Sequence, residues 1–352
     1  MEFVFTEEQQ MIGETARAFF AENATSERTR KAMAADGIDR ALWTAFCQEL
    51  GLSGIGIPES AGGAGLGMVE LAIIAEAAGA QVAALPMLGS LALSAQAIAA
   101  GGSAEQQATH LPALLSSEVI AGYVHDAAIT ANGTSLTGAA GFVAHGGSAQ
   151  LFVVTSNTGA WLVAADAPGV TVSPLTTMDQ TRPYARVTLA GAEGEPLADP
   201  AAAIAAAHRA GFVSVAAEAL GGAQAALDRT VAYAKERVQF GRPIGSFQAY
   251  KHRLADMMIE IEQARSAVYW AACAVDEGSD EAALAVHAAK SFAADTFFMC
   301  AGNMIQLHGG IGFTWEHDAH LYFKRARALQ SMMGSGNWHR EQIAKMMLGE
   351  AA

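Results

Sequence analysis

Basic residues are scarce. Lys and Arg number 21 in 352 residues against 35 Asp and Glu, which leaves a net charge of −14. Nucleic-acid binding needs a basic face to meet the phosphate backbone, so that class is excluded. Cysteine is nearly absent too: Cys47, Cys273 and Cys300 are far apart and show no CxxC or Cys/His spacing. That pattern excludes a disulfide framework and a thiolate metal site, and reads as buried free thiols in a reducing cytoplasm. The ten His form no HxxxH or HxH cluster with carboxylates, apart from His317, Asp318 and His320 after Glu316, which reads as a polar turn; no metal site is expected. The opening MEFVFTEEQQ is acidic and lacks the basic and then apolar order of a signal peptide, so a cytoplasmic protein is expected. A membrane span needs about 20 apolar residues. The nearest approach, Val82 to Ala100, is interrupted by Pro86, Gly89, Ser90, Ser94 and Gln96 and reads as a buried helical hairpin.

What is present is apolar. With 52% hydrophobic and 16% charged residues, the chain has a large core and length for two or three domains. Three segments are predicted. Residues 1–116 carry helical periodicity: Thr6 caps a helix whose third residue is Gln9, with Met11, Ile12, Ala16, Phe19 and Phe20 on one stripe. Further helices are predicted near 40–50, 67–78, 90–100 and 104–115, with the glycine-rich GLSGIGIPESAGGAGLG as a loop. Residues 117–199 alternate with period two between NG, GG, NTG and APG turns, which predicts an antiparallel sheet domain; Asn132-Gly133 is the sharpest hairpin signal. Residues 200–352 return to helix, broken at GRPIG, DEGSD and HGGIG. The fold class is α+β, in the order helix, sheet, helix.

Two strings carry chemistry. In AYAKERVQFGRPIGSFQAYKHRLADM a helix ends near Arg237, a Gly/Pro loop follows and a helix begins near Phe247. Arg237 at the open turn can make charge-assisted bonds to a pyrophosphate, and Phe240 can cover a heterocycle. In IQLHGGIGFTWEHDAHLYFKRARAL, Gly309 and Gly310 let a ligand approach the backbone, and Gln306 offers an amide to an adenine or phosphate one turn earlier.

At these residues the chain resembles the acyl-CoA dehydrogenase family, flavoenzymes that desaturate acyl-CoA thioesters. FTEEQQMIGETARAFF is similar to the family's opening helix, ELGLSGIGIPESAGGAGLGMVELAIIAEAAG to its N-terminal signature, and ERVQFGRPIGSFQ and QLHGGIGF to its two C-terminal signatures. The resemblance implies an N-terminal helical domain, a central antiparallel β domain and a C-terminal four-helix bundle. It also implies FAD as cofactor, with Arg237, Phe240, Gln248, Gln306, Gly309 and Gly310 at its adenine end. An acyl-CoA substrate and an electron-acceptor flavoprotein are the implied partners.

The reaction in this family removes an α-proton with a glutamate while a hydride moves to the flavin. Counting from Gly309-Gly310 places that glutamate on Met333, in Met332-Met333-Gly334-Ser335. A thioether cannot accept the proton. The alternative family position falls near Gly211, and the nearest acid, Glu218, lies two turns along the helix. The central motif Thr-Glu-Pro-Gly-Ala-Gly-Ser is missing from YVHDAAITANG, which starts at Tyr123, and Trp-Ile-Thr falls on Phe142-Val143-Ala144. The arginine that anchors CoA is replaced by Phe212. The family's FAD spans two subunits, and this chain keeps what it gives to a neighbour while lacking what its own site needs. The expectation is therefore a non-catalytic subunit of a heterotetramer, resembling the base-lacking subunit of the steroid-type acyl-CoA dehydrogenases, with FAD shared with a partner. Two other readings stay open: a self-sufficient enzyme whose base is relocated to His125, Asp126, His145 or His339, in a self-oligomer, and a non-redox scaffold.

Overall fold

The computed structural model describes residues 4–349. In chain order the elements are α1 (Glu7–Asn23), α2 (Ser26–Met33), α3 (Arg40–Thr44), α4 (Met68–Ala80), α5 (Gln96–Gly101), α6 (Ala104–Leu115), β1 (Ala121–His125), β2 (Thr130–Asn132), β3 (Ser135–Ala144), β4 (Leu151–Ser156), β5 (Gly159–Ala164), β6 (Val170–Leu175), β7 (Tyr184–Glu193), β8 (Glu195–Pro196), α7 (Pro200–Glu236), β9 (Val238–Gln239), β10 (Arg242–Pro243), α8 (Gln248–Asp276), α9 (Ala282–His308), α10 (Ala319–Ser331) and α11 (Gly336–Leu348). Packing divides them into two compact units, one of residues 1–26, 68–83 and 212–352, the other of 27–67 and 84–211.

The second unit holds the two four-stranded sheets. One runs β1-β4-β5-β8, the other β2-β3-β7-β6. Their inner faces share a core in which Val124, Phe152, Val154 and Trp161 meet Leu136, Val143, Val187 and Leu189, all nearly free of solvent. The Asn132-Gly133 signal is the β2–β3 hairpin, in which Asn132 pairs with Ser135. The central segment is not wholly antiparallel: β1 pairs parallel with β4. The β2–β3 hairpin lies between them in sequence and belongs to the other sheet, so the chain returns to β4 from the same end at which β1 began. Such a crossover leaves no local turn signature.

The first unit is helical. Thr6 closes a capping box with Gln9 at the start of α1, as its spacing predicts. The N–H groups of Met68 and Val69 donate to the Asp276 carboxylate at 2.6 and 3.1 Å, which caps α4 from the end of α8. α9 packs against α8, α10 and α11. α7 is long and apolar enough to cross a bilayer, yet 94% of its most apolar stretch is buried inside the protein. It is a core helix.

Where α4 meets α7 there is no room for side chains. A Cβ on Gly221 would lie 1.9 Å from the Glu76 carbonyl oxygen, and one on Gly79 would lie 2.2 Å from that of Glu218. The two backbones touch at these glycines. Beside them Glu76 accepts from Arg265 at 2.6 Å and from the Tyr269 hydroxyl at 2.5 Å, which ties α4 to α8.

Candidate cofactor face and the position of the missing base

α7 ends at Glu236, and the chain reverses through a two-residue hairpin in which Gln239 pairs with Arg242 and Val238 with Pro243. Phe240 and Gly241 form the tip, at φ of 54° and 75°. Positive φ at both positions fits a type I′ turn, which suits the twist of a hairpin and favours Asn or Gly. Phe240 pays for that backbone without burial, since it is 91% exposed. An exposed aromatic held in a disfavoured conformation indicates a contact outside the chain. Arg237 is exposed at the base of the hairpin, with no carboxylate bonded to its guanidinium.

The second string sits alongside. α9 stops at His308 because Gly309 turns to φ 63°. Nothing lies within 4 Å of where a Cβ on Gly309 or Gly310 would be, so both backbones are open to a ligand. Gln306 is exposed one turn earlier. Two contacts bring the strings together: Tyr233 stacks on His308 with centroids 4.4 Å apart, and the Tyr250 hydroxyl donates to the Leu307 carbonyl at 2.6 Å. Gln248, the first residue of α8, is exposed between the hairpin and that bond. All six expected residues thus lie on exposed backbone of one helical unit. Ile311, Phe313 and Trp315 extend the face with exposed apolar surface, 84% at Phe313.

This set fits the adenine and pyrophosphate end of a dinucleotide: an unneutralised guanidinium, amides, bare glycine backbone and an aromatic tip. Sequence reasoning missed the groups that pin it, Tyr233, His308 and Tyr250. Tyr233 lies one turn before Arg237, His308 directly before Gly309, and Tyr250 two residues after Gln248.

A different arrangement surrounds Met333. The turn after α10 places Met333 at φ 55° and Gly334 at φ 105°. The fully buried Lys290 ammonium donates to the carbonyls of Gln330, at 3.2 Å, and Gly334. Burial pulls its pKa down to about 8. His339 is also fully buried, and its Nδ1 lies 2.7 Å from Nδ1 of His287. Burial, then the Lys290 charge, pulls His339 down to about 3. Both imidazoles are therefore neutral at pH 7. A single hydrogen bond joins the two rings, its donor set by the tautomer, and His339 Nε2 is buried without a hydrogen-bond partner. Phe212 covers the pair, with its ring 5.1 Å from His287 and 4.9 Å from His339.

The remaining sequence candidates are tied up. Glu218 accepts from Arg325 at 2.5 Å with both side chains buried, which holds it as a structural anion. His125 Nδ1 sits 2.9 Å from the Thr155 hydroxyl, and Asp126 accepts from the Ala128 N–H at 2.8 Å in a tight turn. His145 is buried at the left-handed turn after β3, and its backbone N–H donates to Pro183. Asp318 accepts from Ser26 at 2.6 Å. Among the described residues no group of three or more His, Cys, Asp or Glu could hold a metal ion. Phe142, on β3, is 72% exposed at φ 59° where the strand bulges between Ala140 and Val143.

Comparison with known proteins places these features. Residues 6–118 match the family model for the acyl-CoA dehydrogenase N-terminal domain, and 205–348 that for the C-terminal domain. Acyl-CoA dehydrogenase IpdE2 of Mycobacterium tuberculosis is 39% identical over 331 residues, covering 94% of each chain. Among solved structures, the ChsE4-ChsE5 complex from Mycobacterium tuberculosis superposes with a TM-score of 0.93 at 30% identity over 100% of both chains. A steroid acyl-CoA dehydrogenase, the Tcur3481-Tcur3483 G363A variant, gives 0.88 at 31% identity over 98% of this chain and 99% of that one. The chain belongs to the acyl-CoA dehydrogenase family, whose members are FAD-dependent oxidoreductases, and resembles its steroid-type heteromeric members.

Proposed function

We propose that this chain is the non-catalytic subunit of an α₂β₂ acyl-CoA dehydrogenase and completes the FAD site of a second acyl-CoA dehydrogenase-like subunit. The carrying observation is the asymmetry between two places in the helical unit. The face at Arg237, Phe240, Gln248, Gln306, Gly309 and Gly310 is exposed, pinned and unneutralised, whereas the position of the base holds a thioether over a sealed Lys290–His339–His287 cluster. When bound, FAD accepts the hydride from the β-carbon of the acyl-CoA and passes the electrons to an acceptor flavoprotein. The part of this chain is binding: Arg237 meets the pyrophosphate, the open glycines let it approach, and Phe240 covers a ring. The partner supplies the glutamate. The likeness to the ChsE4-ChsE5 complex and to a steroid acyl-CoA dehydrogenase supports a partner subunit and a steroid-bearing acyl group as substrate.

Arg237→Ala tests the reading. Co-purified with its partner, the variant should carry at least about ten-fold less tightly held flavin than the wild type, the size of one charge-assisted phosphate contact. Unchanged flavin content would remove Arg237 from the cofactor.

A further inference from the structure

The hairpin carries a second arginine that neither the family motif nor the sequence reading uses. Gln239 pairs with Arg242, and the Ile244 N–H donates to the Arg237 carbonyl at 2.8 Å, so Arg237 stands opposite Ile244. Alternation along a strand puts Arg237 and Gln239 on one face, and cross-strand pairing puts Arg242 and Ile244 on that same face. Arg237 and Arg242 are therefore diagonal neighbours. Diagonal neighbours across a strand pair lie roughly 7–8 Å apart or less, a span two guanidinium arms can close on adjacent phosphates.

Arg242 is also braced. Its guanidinium carbon lies 4.0 Å above the Phe247 ring, and the same ring meets Phe240 edge-on at 6.2 Å. Stacking fixes the plane of the guanidinium and leaves its N–H edge free for a bidentate acceptor. Neither arginine is bonded to a carboxylate in a chain of net charge −14. Two unneutralised guanidinium groups on one strained hairpin repel each other unless an anion lies between them.

We propose that Arg242 is a second phosphate ligand, that Phe247 is its positioning residue, and that the Arg237–Arg242 pair makes this face select a diphosphate over a monophosphate. This rests on the reading of the face as the adenine end of a dinucleotide site. Arg237 alone would bind one phosphate, and the second arginine matches the second.

ADP and AMP share the adenosine and differ by one phosphate, so titrating both against the full-length chain isolates the pair. The wild type should prefer ADP by about ten-fold or more, as expected for one added charge-assisted contact. Arg242→Gln should bring ADP down to the affinity of AMP while changing AMP little. Phe247→Leu should lose most of the preference, and Phe247→Tyr, which keeps the stacking face, should keep it; a merely structural Phe247 would change both ligands together. An undiminished ADP preference in Arg242→Gln, with Arg237→Ala still weakening both ligands, would overturn the pair and leave the cofactor face standing. No binding of either nucleotide to the wild type, or none affected by Arg237→Ala, would overturn both.

Discussion

Met333 and His339 show how one residue type decides what a position can do. A thioether has no proton to exchange, and the turn that carries it is held through its main chain, with the Lys290 ammonium on two carbonyls. Lys290 and the buried His339 beside it are both pushed toward their neutral forms. The folded pKa of His339, about 3, lies below its ordinary 6.5, so the unfolded chain binds more protons between those limits. The stability from burying it neutral is fully present above pH 6.5 and is lost as the pH falls toward 3. One proton gives a slope of about 1.4 kcal/mol per pH unit at most. Urea denaturation from pH 7 to pH 4 should show His339→Gln losing less stability per pH unit than the wild type, by up to about 1 kcal/mol per unit. Equal slopes would show that His339 is not the group being protonated. In the sequence, Met333 is singled out only by counting along the motif that the chain resembles. The cluster beneath it was not legible there, because His287, Lys290 and His339 come from two helices far apart in the chain and only packing brings them together.

At the scale of elements, local signals were legible wherever they are local in physics. The capping box at Thr6, the Asn132-Gly133 hairpin and the stop of α9 at Gly309 all involve residues within four positions of one another. The parallel pairing of β1 with β4 and the crossing of α4 over α7 depend on partners tens of residues away. At that crossing Gly79 and Gly221 read in sequence as weak points in two helices, whereas in the structure they are the contact. An added methyl at Gly221 must displace the Glu76 carbonyl, 1.9 Å away, and with it the α4 backbone that holds the Arg265 and Tyr269 bonds. Helix propensity favours Ala over Gly by about 1 kcal/mol, and overpacking against backbone costs about 1–3 kcal/mol or more. Sterics win. Gly221→Ala should lower the thermal midpoint by several degrees, while Gly278→Ala, at a loop glycine with open space but φ 62°, should lower it less.

For the whole molecule, the segment order was legible because each segment has its own hydrophobic period, and the six candidate residues could be picked out together because they lie in two continuous strings. What those strings serve depends on a second chain. On the proposed assembly each heterodimer contributes one FAD site, made of the face described here and the ring-binding motifs of the partner; the converse site would need motifs that this chain replaces with YVHDAAITANG, Phe142-Val143-Ala144 and Met333. An α₂β₂ tetramer should then hold two flavins where a homotetramer of the ordinary kind holds four. The chain purified alone should lack a flavin absorbance band and desaturase activity, because FAD held only through its adenine end, with the modest affinity that titration with ADP reads, would dissociate during purification. Mixing with the partner should restore both at a flavin-to-chain ratio of one to two, measured by absorbance against mass. A ratio of one to one in an active complex would mean that both sites are built and that the replaced motifs do not exclude the ring; a yellow, active assembly of this chain by itself would mean that it supplies its own base, and would return His125, Asp126, His145 and His339 to the centre of the chemistry.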